Sequence, residues 1–491
     1  MCEQAIRRGP RVRAFAQRTG WFAAAVCLAA LAPAPARAGE RGLPDFLPSQ
    51  TILLSDNSVV TFPLLPQPAD SVSTIGATAM RSTYPWITGA GQVCAVIDTG
   101  MDYTHPALAG AYLTGYDFGD SDANPMDNNP DTGGHGTHVA GIIASRDATY
   151  GGVAPGAQII SLKVFPSAGE YASDEAILAA LGWVSDHAAQ YHITTVNVSL
   201  GDDKKDTFGW THADVDPNDE YEALFGALRS QGVFVSCAAG NSGYLGGLAY
   251  PGASPQVVSV GGTWASNQWS PWMFLWPDPY TWYVYDSNSG TLLISGANMA
   301  DNGPRTDDIM VVSNRYRSGA DGGPDLMAPG AIITSSIPFA LDLEDGNQDG
   351  FAGYLGTSMA TAHVSGAAML VRQTLELTGK LDSDPNRQVD QVLWILQHTG
   401  VTLKDWYHDA LDPNDAGNND NILEVPPDSS HWYIRPGSGD GMETYVRIDV
   451  NAAINLVYSD AYVPEPATVS WMILGALSLF RRQRRQRIRA H

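Results

Sequence analysis

The sequence predicts an α/β fold of three layers, a mostly parallel central sheet with helices on both faces, and three observations carry that expectation. From Gly91 onward short β-branched runs alternate with helical stretches, tight hairpin turns between the runs are lacking, and polar residues stand just where runs end. Strands alternating with helices call for parallel pairing through crossover helices. In such sheets sites gather at the carboxyl ends of strands.

The elements follow in order. A proline- and serine-rich lead-in occupies 39–74, and the domain is expected over 75–458. Its strand runs are QVCAVIDTG, AQIISLKVF, TTVNVSLG, GVFVSCAAGN and QVVSVGG; DEAILAALGWVSDHAAQ and DEYEALFGALRSQG are its clearest outer helices. Asp98 follows the first run, Ser199 to Gly201 end the third, and Asn241 closes the fourth. Around 264–318 a stretch dense in aromatics breaks the alternation and is expected to be an inserted hairpin region, the alternative being a carbohydrate or substrate contact. The run YVRIDVNAAINLV is expected to close the domain with a helix.

Both chain ends carry targeting signals. Arg7, Arg8, Arg11, Arg13 and Arg18 precede the apolar run WFAAAVCLAALAPAPA, and ARA precedes Gly39, the layout of a secretory signal peptide over 1–38. At the other end, Pro464, Glu465 and Pro466 precede an apolar run from Ala467 to Phe480 and then six arginines. That run is shorter than the ~20 residues of a full membrane helix, and the arginines favour the cytoplasmic side. This end, 463–491, resembles the PEP-CTERM sorting tail of exported bacterial proteins; an ordinary C-terminal anchor is the alternative. The resemblance implies export and sorting machinery as partners, and an extracellular or envelope-associated protein whose C-terminal membrane segment is recognised and processed at the cytoplasmic membrane.

The whole chain has a net charge of −24, and without both ends 16 basic residues face 51 acidic ones, a net of −35. Such a charge argues against nucleic acid and anionic membrane surfaces as partners. A soluble monomer is expected. Cys94 and Cys237 are the cysteines left after removal of the signal, each in an apolar strand run; buried free thiols are expected over a disulfide.

The stretch GGHGTHVAG, Gly133 to Gly141, sets His135 and His138 three residues apart at the start of an apolar helix, near one face. A metal pair, a catalytic base with a neighbour, and packed core histidines are the three readings. Zinc peptidases space such histidines four apart with a glutamate after the first; here Gly136 and Thr137 intervene, and no acidic third ligand stands at suitable spacing. VIDTGMD with Asp98 and GTSMATAHVSG with Ser358 supply what a base requires. A serine hydroxyl attacks only when an imidazole takes its proton, and that imidazole needs a carboxylate to fix its tautomer. Gly356 and the small-residue helix after it would put Ser358 at a helix N-terminus, where negative charge is stabilised. Asn241, ending a strand, could donate to the oxyanion with the N–H of Ser358. His138 then falls to a packed structural role.

Four blocks in the order Asp, His, Asn, Ser make the chain resemble the subtilases, the subtilisin-like serine peptidases, from about Ile75 to Tyr458. THPAL, GVAPGAQI, NVSLG, AYPGASPQVVSVGG and PDLMAPG match as well. The resemblance implies a secreted serine endopeptidase acting on protein or peptide substrates, with Asp98 as orienting acid, His135 as general base, Ser358 as nucleophile and Asn241 as oxyanion donor. It also implies that Ser199, Leu200 and Gly201, with Ala238, Ala239 and Gly240, wall the primary specificity pocket and bind substrate backbone as an added strand. For Ser199 the alternative is a strand-end turn.

The chain departs from the family at several points. Thr361 and Ala362 stand where many members have serine and proline, and AGIIASRDATYG is shorter than the loop that helps subtilisins hold a tight calcium. The residues between Ala38 and the domain are fewer than the folding propeptide of many relatives. No cofactor is expected for the chemistry, and no metal in the site. Structural calcium has three candidate places. DGNQDG, Asp345 to Gly350, opens like an EF-hand loop but has Gly356 at its twelfth position, which excludes a full one. The acidic runs Asp117 to Asp131 and Asp412 to Asn421 are the others, with solvated loops as the alternative. A binding protein on a peptidase scaffold is the competing function, since fold alone does not prove activity.

Overall fold

The computed structural model describes residues 71–462 except 170, 203–208, 244–246, 266–283, 287–290, 294–305, 308, 311–312, 316–322, 343–347, 405–443 and 460–461, together with strand segments 49–53 and 59–63. The signal segment, the sorting tail and the acidic run at 412–421 lie outside the described residues, as do most of the lead-in and of the aromatic stretch.

Strands β1 (Ser49–Leu53) and β2 (Val59–Pro63) pair antiparallel ahead of short helices α1 (Ser71–Thr74) and α2 (Ala77–Thr83). Then come β3 (Val93–Asp98), β4 (Tyr112–Asp117), α3 (His135–Ala144), β5 (Gln158–Lys163), α4 (Asp174–Tyr191), β6 (Ile193–Val198), α5 (Glu220–Ser230), β7 (Phe234–Ala238) and β8 (Val258–Trp264). The short antiparallel pair β9 (Val284–Asp286) and β10 (Thr291–Leu293) precedes β11 (Leu326–Ala331) and a second pair, β12 (Ile333–Ser336) with β13 (Phe351–Tyr354). Helices α6 (Thr357–Leu377) and α7 (Pro385–Thr399), strands β14 (Val401–Lys404) and β15 (Thr444–Arg447), and helix α8 (Val450–Tyr458) are the last of the described elements.

Nine strands form one sheet in the order β14-β15-β11-β8-β7-β6-β3-β5-β4. Every neighbouring pair is parallel except β14 with β15 at one edge. Side chains alternate between faces along a strand, and β3 shows it: Cys94 and Val96 join the apolar cluster under α3 and α6, while Val93, Ala95 and Ile97 join the cluster under α4 and α5. Burial on both faces explains why these runs are apolar without alternation. The three-layer α/β class expected from the sequence is the observed one.

Helix starts follow from capping side chains: Ser173, Asp219, Asp384 and Asp449 each accept a backbone N–H at the first turn of α4, α5, α7 and α8. Helix α6 is buried along most of its length, which its small residues Ala360, Ala362, Gly366, Ala367 and Ala368 permit against the sheet. Cys94 and Cys237 are both buried free thiols. They lie on β3 and β7, with β6 between them.

The acidic run after β4 has a cation of its own. Lys163, fully buried at the end of β5, donates to Asp117 at 2.6 Å and lies 3.5 Å from Asp120. Asp117 also accepts the Asp120 N–H, Asp120 accepts the Ser167 N–H, and Asp122 accepts that of Asn124. These carboxylates serve the loop and the ammonium, and among the described residues no three acidic, histidine or cysteine side chains are grouped to hold a metal. Lys163→Met strands the buried Asp117 charge and is expected to cost about 3–5 kcal/mol, read from the urea midpoint, with Lys163→Met/Asp117→Leu recovering most of it. A single-variant loss below about 1 kcal/mol would contradict this account.

Candidate active site

Sheet order alone assembles most of the candidate residues. The chain leaves β3 toward β5 on one side and β6 lies on the other, so a crevice opens at their carboxyl ends. Register pairs Ile97 with Val198 and Val198 with Cys237, which sets the next residues, Asp98, Ser199 and Ala238, abreast on that edge.

His135 is the first residue of α3, and Gly133 and Gly134 before it both have left-handed backbone, at φ 63° and 80°. A Cβ on Gly134 would come 2.4 Å from Pro338 Cδ, so this turn requires glycine twice over, by conformation and by contact. The turn delivers the imidazole onto β3, where His135 Nδ1–H donates to Asp98 Oδ1 at 2.7 Å. The same oxygen accepts the Thr99 N–H at 2.7 Å, while Asp98 Oδ2 is buried without a hydrogen bond. A carboxylate only accepts, so the proton of the neutral ring sits on Nδ1 and the lone pair on Nε2. Burial works against the imidazolium, yet the charge and hydrogen bond of Asp98, helped by the charge of Asp127, carry the His135 pKa above its ordinary 6.5.

Ser358 is the second residue of α6, buried beside β6. Its hydroxyl donates to the Ser199 carbonyl oxygen at 3.1 Å, and the Ser199 hydroxyl donates to the Ser358 carbonyl at 2.9 Å. The Ser358 hydroxyl is thus turned toward β6 and makes no hydrogen bond to His135 in this structure. Catalytic hydrogen bonds are commonly unformed in a free enzyme and form on substrate binding. Behind Ser199 a buried polar chain continues: Asn197 Nδ2 donates to Ser199 Oγ, Ser365 Oγ to Asn197 Oδ1, and Ser365 meets Ser236 at 2.6 Å.

Asn241 follows β7 and faces the start of α6. Its Oδ1 accepts from the Thr357 N–H at 2.8 Å and the Thr357 hydroxyl at 3.0 Å. Because a backbone N–H can only donate, the amide oxygen is the atom held, and the two Nδ2 hydrogens are left on the other side. Gly356 lies next to that nitrogen; a Cβ there would come 3.3 Å from Asn241 Nδ2.

Of the expected pocket walls, Ser199 and Leu200 are buried after β6, Ala238 ends β7, and Ala239 donates to Val260 while accepting from the N–H of Ala249. Gly240 donates to Thr357 Oγ1. A Cβ on Gly201 would meet Ala249 Cβ at 3.0 Å, so Ala249 lies between the two walls. Its place was not read from the sequence, nor was that of Thr357, although both stand inside quoted blocks. Asn314, from within the aromatic stretch, also reaches this edge: its N–H donates to Gly240 and its Oδ1 accepts from Ser242.

His138 is fully buried. Its Nε2–H is shared between the carbonyls of Ile333 at 2.8 Å and Ala352 at 3.1 Å, and its ring stacks on Tyr354 at 4.4 Å. Burial first, then the neighbouring His135, drives its pKa down to about 3. One nitrogen of each histidine is thus held, His135 Nδ1 by Asp98 and His138 Nε2 by the two carbonyls.

The chain matches the Subtilase family over residues 89–394. It is 30% identical over 291 residues to an intracellular serine protease of Paenibacillus polymyxa, a match covering 58% of this chain and 68% of that protein. A thermophilic serine proteinase of Bacillus sp. (strain AK1) is 30% identical over 318 residues, covering 64% and 59% of the two chains. Subtilisin E of Bacillus subtilis (strain 168) is 30% identical over 307 residues, covering 61% and 60%. The chain thus spans about three fifths of the length of the last two. Fold and relatives define the class of the serine endopeptidases, which are hydrolases. Within that class, the chain belongs to the subtilase family.

Proposed function

We propose that the chain is an exported serine endopeptidase that cleaves peptide bonds through an acyl-enzyme, with Ser358 as nucleophile, His135 as base, Asp98 as orienting acid and Asn241 as oxyanion donor. The observation that carries this reading is the buried 2.7 Å bond from His135 Nδ1 to Asp98, which leaves Nε2 as the free base of the ring. Rotation about the Ser358 Cα–Cβ bond releases its hydroxyl from the Ser199 carbonyl to Nε2, which takes the proton as Oγ attacks the peptide carbon. The tetrahedral oxygen then receives Asn241 Nδ2–H and the Ser358 N–H at the start of α6. His135 gives its proton to the leaving amine, and water repeats the steps on the ester.

Substrate backbone is proposed to lie along Ser199, Leu200 and Gly201 on one side and Ala238, Ala239 and Gly240 on the other, with protein or peptide partners and an apolar or broad preference set by small uncharged walls. The chemistry requires no cofactor; any calcium would be structural. Export and processing of a PEP-CTERM-type tail belong to the same proposal and are supported by the two terminal segments, and a monomer is proposed with them. Among the described residues no helix is long and apolar enough to cross a membrane.

The test is to incubate the purified protein with casein, with a serine-directed fluorophosphonate, and separately with a chelator. Labelling of Ser358 together with loss of hydrolysis is expected. If the fluorophosphonate neither labels Ser358 nor blocks hydrolysis, the proposal fails; a binding protein on this scaffold would give that result. Asn241→Ala is expected to lower kcat by about 10²–10³-fold, the magnitude known for the oxyanion asparagine of subtilisin rather than one obtained from this structure. Unchanged turnover would remove Asn241 from the site.

A further inference from the structure

Helix α3 begins with a conflict. Its first residue is His135, an imidazole that must become a cation during the reaction, yet a helix N-terminus carries partial positive charge that opposes a cation. Its N-cap residue, Gly134, has no side chain with which to satisfy the free N–H groups. Two side chains from elsewhere do so: Thr99 Oγ1 accepts the Gly136 N–H at 2.7 Å, and Asp127 Oδ2 accepts the Thr137 N–H at 2.9 Å and the Thr137 hydroxyl at 2.8 Å. Thr137 Oγ1 in turn accepts the Asp102 N–H at 2.9 Å. Asp127 is 1% exposed, and among the described residues no lysine or arginine is paired with it.

A buried carboxylate without a cation is costly unless something nearby uses its charge. We propose that Asp127 is a positioning residue for the base: its carboxylate caps the third residue of α3 and, by its negative charge, offsets the positive helix end on which His135 becomes protonated. This rests on the reading of His135 as the base. Asp98 holds the imidazole directly, whereas Asp127 acts through the helix terminus without touching the ring.

Among the described residues the titratable groups around the imidazole are few. Asp98 comes from the end of β3, and Asp102 follows in the next turn with its Oδ1 occupied by Thr104. Asp127 and Asp131 come from the loop before α3, and Asp131 is turned to the Gly169 N–H. His138 lies one turn along α3, beside Tyr354 of β13 and in the field of His363 of α6. Burial, with the charge of Asp98 adding to it and the Thr137 hydrogen bonds opposing, pushes Asp127 up to about 6. Its charge is thus largely in place at the pH, above 6.5, at which His135 loses its proton.

The experiment is the rate of fluorophosphonate labelling at Ser358 against pH for the full chain, as wild type, Asp127→Asn and Asp127→Glu. Asparagine keeps an oxygen for Thr137 and removes the charge. Its acid limb is expected to move down by roughly half to one pH unit, with a plateau rate within about threefold of wild type, while Asp127→Glu returns the limb toward the wild-type position. A purely structural cap would lower the melting temperature and the plateau without moving the limb, so a folded Asp127→Asn with an unmoved limb overturns the proposal. If that variant does not fold, the wild type carries the test. The Asp127 carboxyl carbon and the His135 ring carbon, followed together by NMR against pH, must then titrate as a coupled pair, each shift carrying the other's step; two independent single-site curves overturn the proposal. Absence of labelling in the wild type refutes the reading of the site itself and is distinguishable from both outcomes.

Discussion

Ser358→Ala is expected to abolish fluorophosphonate labelling and to lower kcat on a peptide substrate by about 10⁶-fold, the scale established for loss of the nucleophile in subtilisin. The size follows from what is removed. Without Oγ no acyl-enzyme forms, and the residual rate reflects only substrate binding and the oxyanion donors. The variant should remain folded, because the Ser358 hydroxyl contributes one 3.1 Å bond to the Ser199 carbonyl while the reciprocal bond, from Ser199 to the Ser358 carbonyl, involves only its backbone. An unchanged melting temperature with lost turnover is the expected pair of measurements. Retention of more than about one per cent of wild-type kcat would mean that another group is the nucleophile.

Asp98→Asn is expected to cost about 10⁴-fold in kcat, on the scale seen for the acid of other serine peptidases. Two effects combine. The charge that stabilises the imidazolium is lost, and an amide nitrogen turned toward His135 would reverse the tautomer and place the proton on Nε2, where the lone pair is needed. Asp98 Oδ1 serves both His135 and the Thr99 N–H, so the substituted amide must choose between leaving its oxygen on Thr99 and turning its nitrogen to the ring. The pH profile distinguishes this from misfolding. Since Asp98 is the leading force holding the His135 pKa above 6.5 against burial, the acid limb should fall to lower pH along with the rate. A variant with reduced rate and an unmoved limb would remove Asp98 from contact with the base.

Much of this edge was legible in the sequence because strand ends in a parallel sheet share a side. Once VCAVID, TTVNVSL and FVSCAAGN are seen as parallel runs, Asp98, Ser199 and Asn241 must lie on one edge, and glycines before His135 and Ser358 announce the helix starts beside it. Register made the arrangement specific, and register depends on strands far apart in the chain. What was not legible depends on which atoms meet across long separations. Nothing in GTSM says that Thr357 holds the oxygen of Asn241, 116 residues away. Nothing in the acidic run distinguishes Asp127, which caps α3, from Asp117, which serves Lys163. The Asp117 contact arises from the pairing of β4 with β5, where it is the register partner of Lys163, and the Asp127 contact from the loop that returns to α3; acidic composition does not say where each carboxylate points. Ala249 escaped notice for a simpler reason: its contribution is volume between two walls.

The Asp98–His135 contact spans 37 residues, but the contacts joining Ser358 to Ser199 span 159 and those joining Asn241 to Thr357 span 116. Separations of this kind give a high contact order, and parallel sheets of high contact order fold late and slowly. On the proposed assignment the acid and the base are near in sequence, while the nucleophile and the oxyanion asparagine are joined to the rest by the longest separations. The site is therefore complete only once α6 has packed under β6 and β7. In a protease, such a topology acts as a timing device: a chain that ends before α6 has no working site with which to cut its surroundings.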